Sequence, residues 1–327
     1  MPSRDLTYIQ AVNEGLRWAL AAHENTLIFG EDVAKPGGPF GSSRGLWRDY
    51  GDGRIFDTPI SESAILGAAV GAAMRGYRPI VEIMFMDFTL VALDQIVNQA
   101  ANVRYVSNGA FSAPLTIRTQ QGVTPGSCAQ HSQCLETFFA HTPGIRVCVP
   151  ATVEDAYELL RTAIACDDPT LVIESRALYG TTATVELDGP VAAIGGSCVR
   201  RPGSDVTIVT WGRMVTEAMS AAGTLAEQGI DAEVVDLRWL EPLDMPAVLS
   251  SVERTHRLVI AHEAVRSGGF GGEIAARAME EGFDLLDAPI ARVGAASVPI
   301  PAAPQLQRAV VPGAESIVNA VLALAAY

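Results

Sequence analysis

Residues 57–62 read Asp-Thr-Pro-Ile-Ser-Glu, a polar turn ending in a carboxylate. Ser-Ala-Ile-Leu-Gly-Ala-Ala-Val-Gly-Ala-Ala-Met follows at once, a helical stretch of unusually small residues. Alanine and glycine at that density let a second backbone or a flat ligand approach closely. A glutamate at the mouth of such a helix, Glu62, sits in apolar surroundings, where desolvation raises a carboxyl pKa. A group that shares protons with a ligand needs that tuning. The competing reading is a helix-start glutamate stabilised by the dipole, and spacing alone does not choose between them.

Other clusters fail the tests of their context. Gly41-Ser42-Ser43-Arg44-Gly45 satisfies the G-x-S-x-G pattern of a hydrolase nucleophile elbow, but the elbow needs a buried strand before it. Here Pro36-Gly37-Gly38-Pro39 precedes. Gly268-Gly269-Phe270-Gly271-Gly272 follows a strand-like run and opens a helix, as phosphate loops do. It lacks the Lys-Ser/Thr of a P-loop and the Gly-x-Gly-x-x-Gly spacing, so it reads as a tight turn. Cys128, His131 and Cys134 lie close together without the fourth ligand of a structural zinc site.

The elements that must carry these residues alternate between strand-like and helix-like along most of the chain, the pattern of an α/β fold with largely parallel sheets. Short apolar runs at 26–29, 80–86, 115–118, 145–149 and 171–174 read as strands. Residues 89–105 read as an amphipathic helix, with Leu90, Leu93, Val97 and Ala100 at helical spacing. Thr152 is an N-cap candidate, with Glu154 and Asp155 in the first turn. Residues 181–204 lose helical period and carry turn signals at Gly195-Gly196 and Pro202-Gly203. Beyond them come strands at 206–210, 233–237 and 258–262, with helices at 215–228, 245–254, 273–281 and 315–325. The division expected is a first domain over 1–185, a connection over 186–204 and a second domain over 205–327.

Composition narrows the function. The 327 residues are 49 % hydrophobic and 18 % charged, enough for two packed domains. A net charge of −14 argues against nucleic acid as a partner, which would need basic patches. No apolar run approaches the ~20 residues of a membrane span, and the N-terminus lacks a secretory pattern. The five cysteines form no C-x-x-C pair, which fits reduced thiols and a cytoplasmic location.

Five motifs appear in order: Gly30-Glu31-Asp32-Val33-Ala34, Ser43-Arg44-Gly45-Leu46-Trp47, Asp57-Thr58-Pro59-Ile60-Ser61-Glu62, Asp94-Gln95-Ile96-Val97-Asn98-Gln99-Ala100-Ala101 and Ala129-Gln130-His131-Ser132-Gln133. Together they resemble the β subunit of the thiamine-diphosphate-dependent decarboxylating component of pyruvate, branched-chain 2-oxo acid and acetoin dehydrogenase complexes. The likeness runs almost the whole length. Val234-Val235-Asp236-Leu237-Arg238, Glu241-Pro242-Leu243-Asp244 and Leu286-Asp287-Ala288-Pro289 are similar to that family's C-terminal domain.

The resemblance implies a transketolase-like pyrimidine-binding domain followed by a transketolase C-terminal domain. It implies that Glu62 contacts the ring nitrogen of the aminopyrimidine, favouring the tautomer whose exocyclic nitrogen deprotonates the thiazolium. It places Ile60, Met84 and Phe88 in the pyrimidine pocket and His131 toward the substrate and the incoming lipoyl group. Backbone carbonyls near Leu115, Ala163, Ile164, Cys166 and Asp168 align with a monovalent-cation (K⁺) site of some relatives. The partners implied are an α subunit in an α₂β₂ heterotetramer, a lipoyl-bearing acyltransferase core and a 2-oxo acid.

Gly51-Asp52-Gly53 imitates the start of the motif that holds the diphosphate through Mg²⁺, but no Asn-Asn pair occurs anywhere in the chain. That agrees with a family whose α subunit carries the motif. Relatives commonly have Gly-Gly where Asn108-Gly109 stands, and a Pro-Gly-rich loop in place of Thr119-Gln120-Gln121-Gly122. They often have an aromatic where Ala302 follows Pro-Ile-Pro. These departures leave the acyl substrate open. Two other functions stay in view: a split transketolase-like enzyme of a biosynthetic pathway, which needs no lipoyl partner, and a non-catalytic assembly subunit, for which Glu62 and His131 would serve no purpose.

Overall fold

The computed structural model describes residues 3–187 and 189–327. The chain forms two compact units. One is the chain to Gln121 with Phe138–Ile194; the other is Gly122–Thr137 with Gly195–Tyr327. The chain therefore leaves the first unit for residues 122–137 and returns, an excursion that composition does not mark.

In the first unit, runs rich in Ile, Val and Thr form six parallel strands. Their order is Arg146–Cys148, Thr170–Ser175, Thr116–Gln121, Arg78–Ile83, Thr26–Gly30 and Ile55–Asp57. Parallel sheets are covered on both faces, and every residue of Thr116–Gln121 and Thr170–Ser175 is buried. Helices Tyr8–Ala22 and Val153–Ala165 pack together. Gly15 allows the approach, since a Cβ there would lie 2.9 Å from Leu160 Cδ2. Thr7 and Thr152 cap these helices, each accepting from the backbone N–H three residues on. Ser3–Thr7 pairs antiparallel with Thr182–Glu186.

In the second unit the strand order is Ala291–Ala295, Leu258–Val265, Val206–Thr210, Ala232–Asp236 and Cys198–Arg201, parallel except for the last. Ile208, Val234 and Val259 meet Met214, Leu225 and Ile317 in its core. Among the described residues no helix is long and apolar enough to cross a membrane.

The helix expected over 89–105 is broken. A 3₁₀ turn Met86–Leu90, a π-helical stretch Gln95–Ala100 and a short helix Val103–Val106 take its place. Side chains compete with the backbone there. Asn98 donates to Asp94 Oδ1 at 2.8 Å, and Asn102 donates to the carbonyls of Val97 and Asn98 at 3.1 and 3.2 Å.

Two buried charged or polar groups organise the units. Arg118, 3 % exposed, donates to Glu174 at 2.8 Å and to Glu82 at 2.7 Å. Ser42 Oγ donates to Glu82 and Tyr179 Oη to Glu174, at 2.8 and 2.7 Å. Burial opposes the Arg118 charge, but Glu174 and Glu82 outweigh it and raise its pKa beyond the ordinary value. In the second unit, His262 is wholly buried, its ring stacked on Trp211 at 5.3 Å. Its Nδ1 pairs with the Ala264 carbonyl at 3.1 Å. Burial chiefly pushes its pKa down to about 4, helped by Arg292 and opposed by the Ala264 bond.

Two outcomes follow. Arg118→Met strands two buried carboxylates and is expected to cost ~3–5 kcal/mol in urea unfolding, with part recovered when Glu82→Gln and Glu174→Gln are added. For His262, the unfolded imidazole takes up a proton below ~6.5 that the folded one refuses until about 4. Its contribution is therefore whole above ~6.5, and stability falls by roughly 3 kcal/mol as pH drops to 4. Unfolding curves across that window should lose this slope in His262→Gln.

Candidate active site

The six parallel strands of the first unit end on one edge, and ligands of such sheets gather outside the carboxyl ends. The turn after Ile55–Asp57 runs there. Thr58 N–H donates to the Gly30 carbonyl at 2.9 Å, and Asp57 Oδ1 accepts from Ala34 N–H at 2.7 Å, so two neighbouring loops hold each other. Helix Glu62–Met74 starts directly after this turn. Ser61, its N-cap, makes no side-chain capping bond.

Glu62 is 7 % exposed and makes no side-chain hydrogen bond or salt bridge among the described residues. A carboxylate that the protein itself leaves without a partner is open to one from a ligand. Glu31 lies near enough to feel it. Burial first, then the charges of Glu62 and Asp32, raise the Glu31 carboxyl pKa. The Ala64, Ala68 and Gly71 side of the helix is exposed, while Ile65, Leu66, Ala69 and Val70 face the core. Ser63 Oγ ties the helix start to the Val91 carbonyl at 2.5 Å.

Met84 and Phe88 follow the strand Arg78–Ile83, both half-buried. Phe88 meets Phe85 edge-on with ring centres 5.7 Å apart, and Phe85 meets Phe40 likewise at 5.9 Å. Ile60 is 82 % exposed, standing out on the turn rather than against the core. Sequence reasoning gave no role to Gln120, whose Nε2 donates to the Met84 carbonyl at 2.7 Å while its buried Oε1 has no partner. The departure at Thr119-Gln120-Gln121 was its one signal. Size does not mark the site: a cleft of about 1040 Å³ in the same unit is lined by Arg104, Tyr105, Arg146 and Asp168, not by Glu62.

His131 lies on the excursion that belongs to the second unit. There Glu263 Oε1 accepts from Val123 N–H at 2.8 Å, and Gly122, at φ +89°, leaves no room for a Cβ, which would sit 2.6 Å from Glu263 Oε2. Ser127 and Ser132 share a 2.5 Å hydrogen bond across the His131 turn, and Gln307 Nε2 donates to the Thr124 carbonyl at 3.2 Å.

The five carbonyls aligned with a cation site all accept protein hydrogen bonds. Arg78 Nη1 donates to Ile164 and Cys166, each at 3.1 Å, and Thr170 N–H donates to Leu115 at 2.9 Å. Cys166 N–H donates to Ala163, and Thr170 Oγ1 to Asp168. The Arg78 guanidinium, paired with Asp167 at 2.5 Å, thus brings positive charge to two of them.

The decoys resolve as packing. Ser43 Oγ donates to the Val33 carbonyl and Ser42 to Glu82, both hydroxyls buried and no strand immediately before them. Gly269 and Gly271 are required because Cβ atoms there would lie 2.6 and 2.8 Å from the His262 ring. Among the described residues no three His, Cys, Asp or Glu side chains are grouped to hold a metal, Cys128, His131 and Cys134 included.

Comparison with known proteins gives this geometry its family. The pyrimidine-binding domain of transketolase matches residues 4–182, and the transketolase C-terminal domain matches 195–317. The β subunit of 3-methyl-2-oxobutanoate dehydrogenase from Mycobacterium tuberculosis is 43 % identical over 98 % of this chain and 92 % of its own length. The β subunit of acetoin:2,6-dichlorophenolindophenol oxidoreductase from Bacillus subtilis is 40 % identical over 98 % of both. The pyruvate dehydrogenase E1 β subunit of Rhizobium meliloti is 40 % identical over 98 % of this chain and 70 % of its own. A split-gene transketolase, solved as an inactive β4 tetramer, shares the fold with a TM-score of 0.79 at 23 % identity over 98 % of both chains. With two transketolase domains and relatives of this similarity along its length, the chain belongs to the thiamine-diphosphate-dependent family of 2-oxo acid dehydrogenase E1 β subunits.

Proposed function

We propose that this chain works with an α subunit in the oxidative decarboxylation of a 2-oxo acid, passing the acyl group to a lipoyl-bearing acyltransferase. The observation that carries the reading is Glu62, a buried carboxylate without a protein partner at the carboxyl edge of a parallel sheet. In this reading Glu62 holds and returns a proton at the ring nitrogen of the aminopyrimidine. Met84 and Phe88 line the ring's plane, with Ile60 at the rim, and Gln120 fixes the backbone at Met84. The bound cofactor supplies the electron sink for loss of carbon dioxide.

His131 orients the acyl acceptor from a segment made rigid by Glu263 and the Ser127–Ser132 bond. The α subunit, in an α₂β₂ assembly, holds the diphosphate and Mg²⁺, consistent with the missing Asn-Asn pair. The assembly acts in the cytoplasm. A monovalent cation at these carbonyls would use the second lone pair that each keeps beside its protein hydrogen bond.

Decarboxylation by the α–β complex tests this. Glu62→Gln is expected to fall by ~10²–10⁴ in kcat, the range of a general acid–base group, with an unchanged melting curve. Equal activity in the mutant would remove Glu62 from the chemistry. Acyl transfer that proceeds without a lipoyl domain would point to a biosynthetic transferase instead. Gln120→Leu, which frees the Met84 carbonyl, is expected to weaken cofactor binding about fivefold, the value of one hydrogen bond, read by cofactor titration.

A further inference from the structure

In the second unit, strand Ala291–Ala295, the residues after it and the stretch from Arg308 to Ser316 enclose a cleft of about 460 Å³. Arg266, Arg292 and Arg308 line it, together with the hydroxyls of Ser267, Ser297 and Ser316, and no carboxylate does. Such a lining is unexpected in a chain with 37 acidic and 23 basic residues.

Elsewhere in the same unit several arginines find acids: Arg201 with Asp231, Arg254 with Glu233, Arg277 with Glu281. Arg266, Arg292 and Arg308 form no salt bridge among the described residues. Arg292 is half-buried and held in place. Its Nη1 donates to the Arg266 carbonyl at 3.3 Å and would lie 3.3 Å from a Cβ on Gly272. Glu217 and Glu315 line an adjoining cleft that Arg308 and Ser316 also border. Glu217 is already committed, to Arg213 at 2.9 Å and to the Ala314 N–H at 3.0 Å.

Three guanidiniums around one cleft repel each other, and their summed field raises the local concentration of anions. A single carboxylate leaves most of that charge unanswered. Phosphoryl oxygens accept from several guanidinium forks at once, and hydroxyls complete the shell. We propose that this cleft binds a small, multiply charged phosphoryl anion, a diphosphate group, through Arg266, Arg292 and Arg308. The group could come as free diphosphate or on a nucleoside diphosphate. The inference is independent of the role given to Glu62.

Isothermal titration of the α–β complex, with thiamine diphosphate saturating so that the cofactor site is filled, tests it. Inorganic diphosphate and ADP are the probes, and the Arg292→Gln/Arg308→Gln double variant is the comparison. The expected result is one diphosphate per chain, bound at least about tenfold more weakly by the variant, as loss of a charge-assisted hydrogen bond implies. ADP binding as well as diphosphate assigns the site to a nucleotide; ADP failing where diphosphate binds assigns it to the free anion. No diphosphate binding by the wild type, or equal binding by the variant, overturns the proposal. Arg308→Gln alone, on an exposed position, supplies the same comparison should the double variant fold poorly.

Discussion

Taking a guanidinium out of water costs several kcal/mol unless carboxylates go with it, and Arg118 takes two. It stands on the strand Thr116–Gln121, and its partners stand on the strands to either side, Glu82 on one and Glu174 on the other. Neither acid can be lost without leaving the other charges short. Glu82 also receives the Ser42 hydroxyl and Glu174 that of Tyr179. One buried charge thus fixes three strands, the loop before Trp47 and the turn after Ser175 in a single arrangement. The carboxyl edge where Glu62 and Met84 lie is built on that arrangement, so the site inherits its rigidity from a group that never reaches it.

Much of this was legible in sequence where the rule is local. Strand runs bounded by glycine or proline, the Thr152 cap and the turn before Glu62 follow from neighbours a few residues apart; most lie within a residue or two of expectation, while the strands expected at 80–86, 115–118 and 258–262 each miss one end by three. The segment over 89–105 was misread because apolar spacing says nothing about Asp94, Asn98 and Asn102 bonding within the segment itself. Helix Tyr8–Ala22 went unread although its Thr7–Gln10 capping box was there to see. The Arg118 cluster is different in kind: its members are 36 and 56 residues apart, and nothing local ties them.

The candidate site divides the same way. Glu62 was found because a carboxylate beside a run of small residues is odd in itself, and the family motif then gave it a role. Gln120 and Glu31 were passed over because their meaning lies in what they face: a backbone carbonyl across the sheet for one, a second carboxylate for the other. The glycines at 268–272 show the converse. A string that resembles a phosphate loop is explained by the imidazole beneath it, which a side chain at Gly269 or Gly271 would strike.

The excursion over residues 122–137 means that the two units are joined by three covalent crossings, not one. A chain cut at the obvious boundary near residue 195 would keep His131 yet lose Glu263, the acid that receives Val123 N–H and for which Gly122 makes room. The histidine would then ride on a loop with no wall behind it. Any domain grafted on beyond residue 195 would have to bring an acid of its own to meet the Val123 N–H.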